Sequence, residues 1–230
     1  MILRADSGST SPAYNLAFEE YICGLGAEAF MLWRNSPSVI VGRFQDVESE
    51  VHTDFAAAHG IQVIRRNSGG GAVYHDLGNV NYSFILRRKT EYTLEYFAGI
   101  MIDILAGMGI LQLELRHNDI LAGGRKVSGM AQFRSGGMIL HHGTLLFDSD
   151  IGVMSHVLRR CGDVANIKPL LREDISVDEF MTAIHDNVGI SEKLVLTQND
   201  YDNVNGIMLR KYLSPQWNNS GQKENVYVAD

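Results

Sequence analysis

The sequence predicts an α+β fold with mostly antiparallel, mixed sheets and packed helices, and three observations point that way. Short runs rich in β-branched and aromatic residues recur along the first two thirds of the chain. Glycine pairs and an Asn-Ser-Pro turn separate several of these runs at hairpin spacing. Stretches of helical periodicity are interspersed and then dominate the last third, without the regular β-α-β alternation of a doubly wound parallel sheet.

The first expected element is a helix from Ser11, with Ser11 as N-cap and Pro12 in the first helical position. Tyr14, Ala17, Phe18, Tyr21 and Leu25 then recur at helical spacing. Strands are expected over 29–34 and 38–43, joined by the turn, then a short helix over 51–59 that stops at Gly60. Further strands follow over 61–66 and 80–86, and a helix over 93–108. Residues 119–132 read as a hairpin around Gly123-Gly124, a pair that tolerates the positive φ angles of a tight turn. A strand over 138–147 follows, with helices over 150–160, 177–188 and 199–213.

The composition narrows the function. The 230 residues are 45% apolar and 20% charged, the balance of a soluble globular protein. No apolar run reaches the roughly 18 residues of a membrane span, and MILRADSGST lacks a secretory apolar core. No membrane partner is therefore expected. A formal charge of -7 argues against nucleic acid as a partner, though it leaves room for a local basic site. Cys23 and Cys161, the two cysteines, read as reduced thiols in the cytoplasm.

The most informative stretch is 65-RRNSGGGAVYHDLGNVNYSF-84. Glycine lets backbone amides approach a ligand closely and point several donors at it. Arg65 and Arg66 stand in front as cationic forks suited to phosphate or carboxylate. Alternation sends only one of them to the site and the other to solvent or a carboxylate. Ser68 adds a hydroxyl, and His75 and Asp76 add polar groups beyond Gly71-Ala72-Val73-Tyr74. The blander reading is a tight turn between two strands. The stretch matches neither the phosphate-loop nor the dinucleotide pattern, so any nucleotide site is of another type.

Two more stretches carry polar groups inside apolar runs. In 117-HNDILAGGRKVSGMAQ-132, strand alternation puts Lys126 and Ser128 on one face and Arg125 and Val127 on the other. In 141-HHGTLL-146, adjacent His141 and His142 point to opposite faces, and their spacing is poor for zinc. A solvated lysine and a buried, satisfied histidine are the ordinary alternatives.

Together with 32-LWRN-35, 42-GRFQ-45, 118-ND-119 and the weaker echo 211-KYLSPQWN-218, these stretches resemble the lipoate-protein ligase family across about the whole chain. The resemblance implies the fold shared by biotinyl and lipoyl protein ligases and by class II aminoacyl-tRNA synthetases, with residues 1–230 expected as one catalytic domain; the smaller C-terminal accessory domain that many ligases carry is expected to be absent, a departure from the family. It implies a two-step reaction. Lipoate and ATP give lipoyl-adenylate and pyrophosphate, with Mg2+ as the metal, and a lysine of a lipoyl carrier domain then takes the lipoyl group. The implied carriers are the acyltransferase subunits of 2-oxoacid dehydrogenases or the glycine-cleavage carrier protein, with a separate accessory subunit as a further partner.

Residue by residue, the resemblance implies that Lys126 is catalytic and reaches the carboxyl oxygen and α-phosphate. Arg66, Ser68, Gly69, Gly70, Gly71, Ala72, Val73, Tyr74 and His75 would cradle ATP or the adenylate. Asn118, Asp119, Ser128, Gly129, His142, Gly143 and Thr144 would complete that site, with Asp119 holding magnesium or Lys126. Trp33, Val41 and Gly42 would line the lipoate pocket, although Trp33 could equally be core. Arg87, Arg88 and Lys89 are candidates for docking an acidic carrier.

The chain departs from the family in 158-LRRCGDVANIKPLL-171, which is shorter than usual and implies a different cover over the adenylate. Cys161 in that segment keeps a rival open, an octanoyl- or lipoyl-transferase acting through a cysteine thioester without ATP. The transferases carry their cysteine just before the lysine stretch, where this chain reads HNDILAGG, which favours the ligase. A non-catalytic lipoate-binding protein is the third reading, and the intact Arg66 and Lys126 argue against it.

Overall fold

The computed structural model describes residues 1–221. In chain order it runs β1 (Leu3–Ala5), α1 (Pro12–Leu25), β2 (Ala29–Trp33), β3 (Ser38–Val41), α2 (Val47–Glu50), α3 (Thr53–Ala58), β4 (Gln62–Arg65), β5 (Val73–His75) and β6 (Asn79–Arg87). It continues with α4 (Leu94–Gly107), β7 (Leu113–Arg116), β8 (Asp119–Ala122), β9 (Arg125–Ser135), β10 (Met138–Leu146) and α5 (Ile151–Val157). After α6 (Val177–Val188) come α7 (Gln198–Ile207), a π turn over Met208–Tyr212, and α8 (Pro215–Ser220).

Two sheets form, as α+β with mostly antiparallel pairing requires. The larger is seven-stranded in the order β1-β2-β6-β10-β9-β8-β7, and the smaller is β4-β3-β5. Pairing is antiparallel except for β1 with β2 and β3 with β4. Both glycine-pair hairpins form. Gly123 and Gly124 have φ of 57° and 81°, and Gly136 and Gly137 have 56° and 78°, the left-handed region that two-residue hairpin turns need.

The large sheet is covered on both faces, which is why its central strands β2, β6 and β10 are buried almost throughout. Along β2, Phe30 and Leu32 pack toward α4 and α6 with Phe84, Phe97, Met101 and Phe180. Ala29, Met31 and Trp33 point the other way, against Leu16 and Phe18 of α1 and the C-terminal Val204, Tyr212 and Trp217. A third cluster fills the space under the small sheet, around Val39, Val41, Tyr74, Met154 and Val157.

Ser11 caps α1 as expected, its side chain accepting from the Tyr14 amide, and Pro12 opens the helix. Several boundaries differ. The turn after Trp33 does not close a hairpin, because β2 and β3 belong to different sheets. Asn35, fully buried and bonded to Asn15 and His75, holds the crossing. The helix expected over 51–59 forms as α3, which starts only at Thr53 because Val51 bridges with Leu158, and a separate short helix, α2, precedes it. Asp46 is the unrecognised cap, accepting from the Ser49 amide at 2.9 Å. The C-terminal helix widens into the π turn where Lys211 and Tyr212 both bond Glu20 at 2.7 Å. Strands β1, β5 and β7 span only three or four residues each and helix α8 six, too short for a periodic signal. Among the described residues no helix is long and apolar enough to cross a membrane.

Candidate active site

A pocket of about 630 Å³, mouth included, opens between the large sheet and the glycine stretch. Its inner wall is apolar, with Leu16, Trp33, Ile40, Val73 and Met130. Its outer wall is polar, with Asn118, Asp119, Lys126, Gly129 and Thr144. Gly70, Gly71 and Ala72 form one edge, and Arg66, His75, Asn81, Ala131, His142 and Gly143 complete the lining.

The two arginines divide as alternation requires, but neither meets solvent. Arg65 is 1% exposed and its guanidinium donates to six main-chain carbonyls, those of Gly42, Arg43, Gln45, Trp217, Asn218 and Asn219. It clamps α8 to the 42–45 turn. Arg66 lines the pocket with its fork turned into the loop, donating to the carbonyls of Ile40, Gly69 and Gly71 at 2.9, 2.6 and 2.8 Å and from Nε to Ser68 Oγ. Burial pulls its pKa down to about 10, so it remains charged at neutral pH. Of the three glycines, only Gly70 takes a left-handed φ, 90°. The loop also needs close approach, since a Cβ on Gly42 would overlap the Gly70 carbonyl oxygen.

Lys126 is set by an irregularity in β9. Ile120 pairs with Ser128 but Leu121 with Lys126, so Val127 is one residue too many. Such a bulge re-aims neighbouring side chains. Lys126 therefore lies over Gly129, which pairs directly with Asp119, and its Nζ reaches Asp119 Oδ1 at 2.8 Å. Ser128, expected to share its face, is fully buried outside the pocket lining. The 158–171 segment grips the lysine main chain from the other side. The Lys126 amide donates to Asp163 O at 2.9 Å, and its carbonyl accepts from the Ala165 amide at 2.9 Å.

His141 and His142 do face opposite ways. His141 stacks on Phe97 at 4.4 Å in the core under α4. His142 lines the pocket with both nitrogens engaged, Nε2 with Ser68 Oγ at 2.7 Å and Nδ1 with Glu19 at 3.2 Å. Ser83 Oγ donates a short hydrogen bond to Glu19 and accepts from Trp33 Nε1 at 2.9 Å, so the wall indole is tied to the same buried carboxylate.

Most of the expected residues converge here, and six do not line the pocket. Ser68 and Gly69 brace it from behind through His142 and Arg66. Tyr74 faces the third apolar cluster, where burial raises its pKa to about 12. Val41 points into the same cluster, because strand alternation gives Ile40 to the pocket instead. Gly42 supports Gly70 from below, and Ser128 is the sixth. Leu16 joins from α1 without a sequence signal, whereas Asn81, Met130 and Ala131 join from β6 and β9 inside the matched stretches, where they had not been singled out.

Neither thiol is activated. Burial, with Glu19 and Glu20 nearby, pushes Cys23 up to about 11. Burial also raises Cys161, which Lys126 only partly offsets. A nucleophilic cysteine needs the opposite shift. Among the described residues no group of three or more His, Cys, Asp or Glu is placed to hold a metal ion.

Residues 11–189 match the sequence profile described as the lipoyl protein ligase A/B catalytic domain. The lipoate-protein ligase LplJ of Bacillus subtilis is 34% identical over 242 residues, covering 95% of this chain and 73% of that protein. Lipoate–protein ligase 1 of Staphylococcus aureus is 33% identical over 235 residues, covering 93% and 72%. Among solved structures, a bipartite lipoate protein ligase of Thermoplasma acidophilum, described with its E2 lipoyl domain, superposes with a TM-score of 0.82 at 26% identity over 98% of this chain and 97% of that one. A lipoate-protein ligase A bound with ATP gives 0.82 at 27% identity over 95% and 98%.

Proposed function

This chain belongs to the lipoyl protein ligase A/B catalytic-domain family, and from that premise we propose that it activates lipoate with ATP and transfers the lipoyl group to a lysine of a lipoyl carrier domain. The observation that carries the proposal is one pocket whose apolar half ends at a polar half holding Lys126, 2.8 Å from Asp119. An acyl chain fits the half formed by Leu16, Trp33, Ile40 and Met130. The carboxylate and the nucleotide phosphate then fall near Lys126 and the glycine edge. A structure of T. acidophilum lipoate protein ligase with bound lipoic acid, 28% identical with a TM-score of 0.82, and the ATP-bound ligase support both ligands.

In the first step the lipoate carboxylate attacks the α-phosphorus of ATP. The P–O bond to the β-phosphate breaks and pyrophosphate leaves. The Lys126 ammonium offsets the negative charge that builds on the phosphoryl oxygens. In the second step the acceptor amine attacks the acyl carbonyl. An amide forms, AMP leaves and the amine loses a proton, while the same ammonium stabilises the carbonyl oxygen. Arg66 shapes the glycine edge by holding the carbonyls of Gly69 and Gly71, which leaves loop amides for the anion. Little covalent chemistry is asked of the protein, and positioning with charge stabilisation suffices.

Magnesium is part of the proposal. Asp119 is the carboxylate of the pocket wall, and this donor set fits an ion carried mainly on ATP phosphates with one protein carboxylate. Such an ion would neutralise phosphate charge.

The proposed acceptors are carrier domains of 2-oxoacid dehydrogenase or glycine-cleavage systems, and the proposed compartment is the cytoplasm. A separate accessory subunit is proposed because the archaeal ligase that this chain matches is bipartite. The cysteine-transferase alternative is disfavoured by the raised thiol pKa values. The test is a mass measurement on a lipoyl domain incubated with the protein, with and without a candidate accessory subunit. Gain of the lipoyl mass only when ATP, magnesium and lipoate are all present supports the reading. Gain without ATP, lost in Cys161→Ser, would replace it with the transferase.

A further inference from the structure

His75 differs from His142 in one respect. Both line the pocket, but His142 has partners on both nitrogens, whereas His75 Nε2 is buried with none. A chain of hydrogen bonds fixes what that nitrogen carries. Main-chain carbonyls only accept, so the carbonyls of Ser9 and Arg34, at 3.0 and 3.1 Å, fix the Asn15 nitrogen Nδ2 as the donor. The same Nδ2 lies 2.9 Å from Asn35 Oδ1, its two hydrogens shared among three acceptors, and an Asn35 nitrogen in that place would set donor against donor. Ser7 Oγ, 2.6 Å from Asn15 Oδ1, agrees with this orientation. With Oδ1 accepting, Asn35 turns Nδ2 toward His75 Nδ1 at 3.0 Å. An amide nitrogen only donates, so Nδ1 is bare and the ring proton sits on Nε2.

We infer that Asn15 and Asn35 are positioning residues that hold His75 as a neutral Nε2–H donor for an anionic oxygen of the bound substrate. This deepens the proposed function and rests on it. Burial, with Arg66 and His142 nearby, pushes the His75 pKa down to about 3, so the ring stays neutral at physiological pH. The pocket then offers two kinds of group to an oxyanion: the mobile charge of Lys126, and a fixed, uncharged donor. A buried donor without a partner is costly, and a ligand oxygen relieves that cost. Trp33 packs edge-on against the imidazole, with ring centroids 6.0 Å apart, and keeps the ring from swinging away. The anionic oxygen belongs either to the acyl carboxylate or to a nucleotide phosphate.

The test uses the full chain labelled with 15N in histidine, with His75→Gln to assign the His75 signals. Long-range 1H–15N spectra of the free protein are expected to show the Nε2–H tautomer at His75. Lipoate shifting the Nε2–H proton identifies the carboxylate as its partner, AMP shifting it identifies the phosphate, and lipoamide, which lacks the carboxylate, leaves it in place. Asn35→Leu is expected to mix the tautomers and weaken the effective ligand by on the order of tenfold to a hundredfold. An Nδ1–H tautomer in the free wild-type protein, or a proton that moves with neither lipoate nor AMP, overturns the inference. ATP-dependent lipoylation by the same preparation separates the two ideas. If lipoylation proceeds while the tautomer is wrong, only the inference falls. If the tautomer is right and lipoylation fails even with a candidate accessory subunit added, the proposed function falls.

Discussion

Lys126 Nζ stands 2.8 Å from Asp119 Oδ1, and a Cβ added to Gly129 would lie 2.9 Å from the same Nζ. The bulge at Val127 creates this arrangement, so the ammonium rests on a residue that has no side chain to displace it. The ion pair is partly exposed, at 31% and 38%, so its contribution to stability is at most about 1 kcal/mol. Its value lies in chemistry.

Lys126→Ala is therefore expected to abolish adenylation without unfolding the protein. Lipoate-dependent pyrophosphate exchange should fall by roughly a hundredfold to a thousandfold, while the thermal midpoint stays near that of the wild type. Wild-type exchange rates in this variant would remove Lys126 from the mechanism.

Gly129→Ala tests the seat of the ammonium. The added methyl meets the far end of a flexible side chain, so stability should hardly change. The displaced Nζ should lower turnover by about tenfold to a hundredfold. Steady-state kinetics beside a melting curve would show both effects, and unchanged turnover would mean that Lys126 tolerates displacement.

Gly42→Ala is expected to act differently, because its methyl meets main chain. It would overlap the Gly70 carbonyl oxygen, which cannot rotate away. A loss of about 1–3 kcal/mol of stability is expected from overpacking, together with weaker lipoate or ATP binding as the glycine edge shifts. Denaturant titration and ligand titration read the two effects separately.

Arg65→Lys should be costly although it keeps the charge. An ammonium has three donors on one atom and cannot serve six carbonyls gathered from two segments. A loss of at least about 3 kcal/mol is expected. Hydrogen exchange should show α8 opening first, and protection of α8 as in the wild type would contradict the clamp.

Acid should weaken the fold before its carboxylates titrate. Burial lowers both His75 and His141 to about 3, from an unfolded value near 6.5. Between those values the unfolded chain binds more protons, so their neutral burial is fully favourable above about pH 6.5 and loses ground as pH falls toward 3. Each group contributes a slope of roughly 1.4 kcal/mol per pH unit inside that window. Thermal melts from pH 7 to 5 should show falling stability. His141→Phe, which keeps a ring against Phe97, should reduce the slope.

The central strands, both glycine hairpins and helices α1, α4 and α6 were legible because each has a clear period, cap or turn signal in local sequence. So were Lys126, Asp119 and the glycine edge, through the resemblance of their motifs. The bulge at Val127 was not, since nothing in RKVSGM marks an extra residue, and plain alternation put Ser128 where Gly129 belongs. The partner of Arg65 was equally hidden, because carbonyls from residues 42–45 and 217–219 meet only in the folded chain. Asn15, Asn35 and Glu19 sit in ordinary helix and turn contexts, and their roles emerge only when α1 packs behind β2 and β10.

The most direct test is a crystal structure with a non-hydrolysable lipoyl-adenylate analogue soaked into the pocket. The account predicts the acyl chain between Leu16, Trp33 and Met130, the phosphate against Gly70–Ala72, and Lys126 Nζ within hydrogen-bond reach of the linkage between them. An analogue bound elsewhere, or Nζ still turned to Asp119 and out of reach of the linkage, would contradict it.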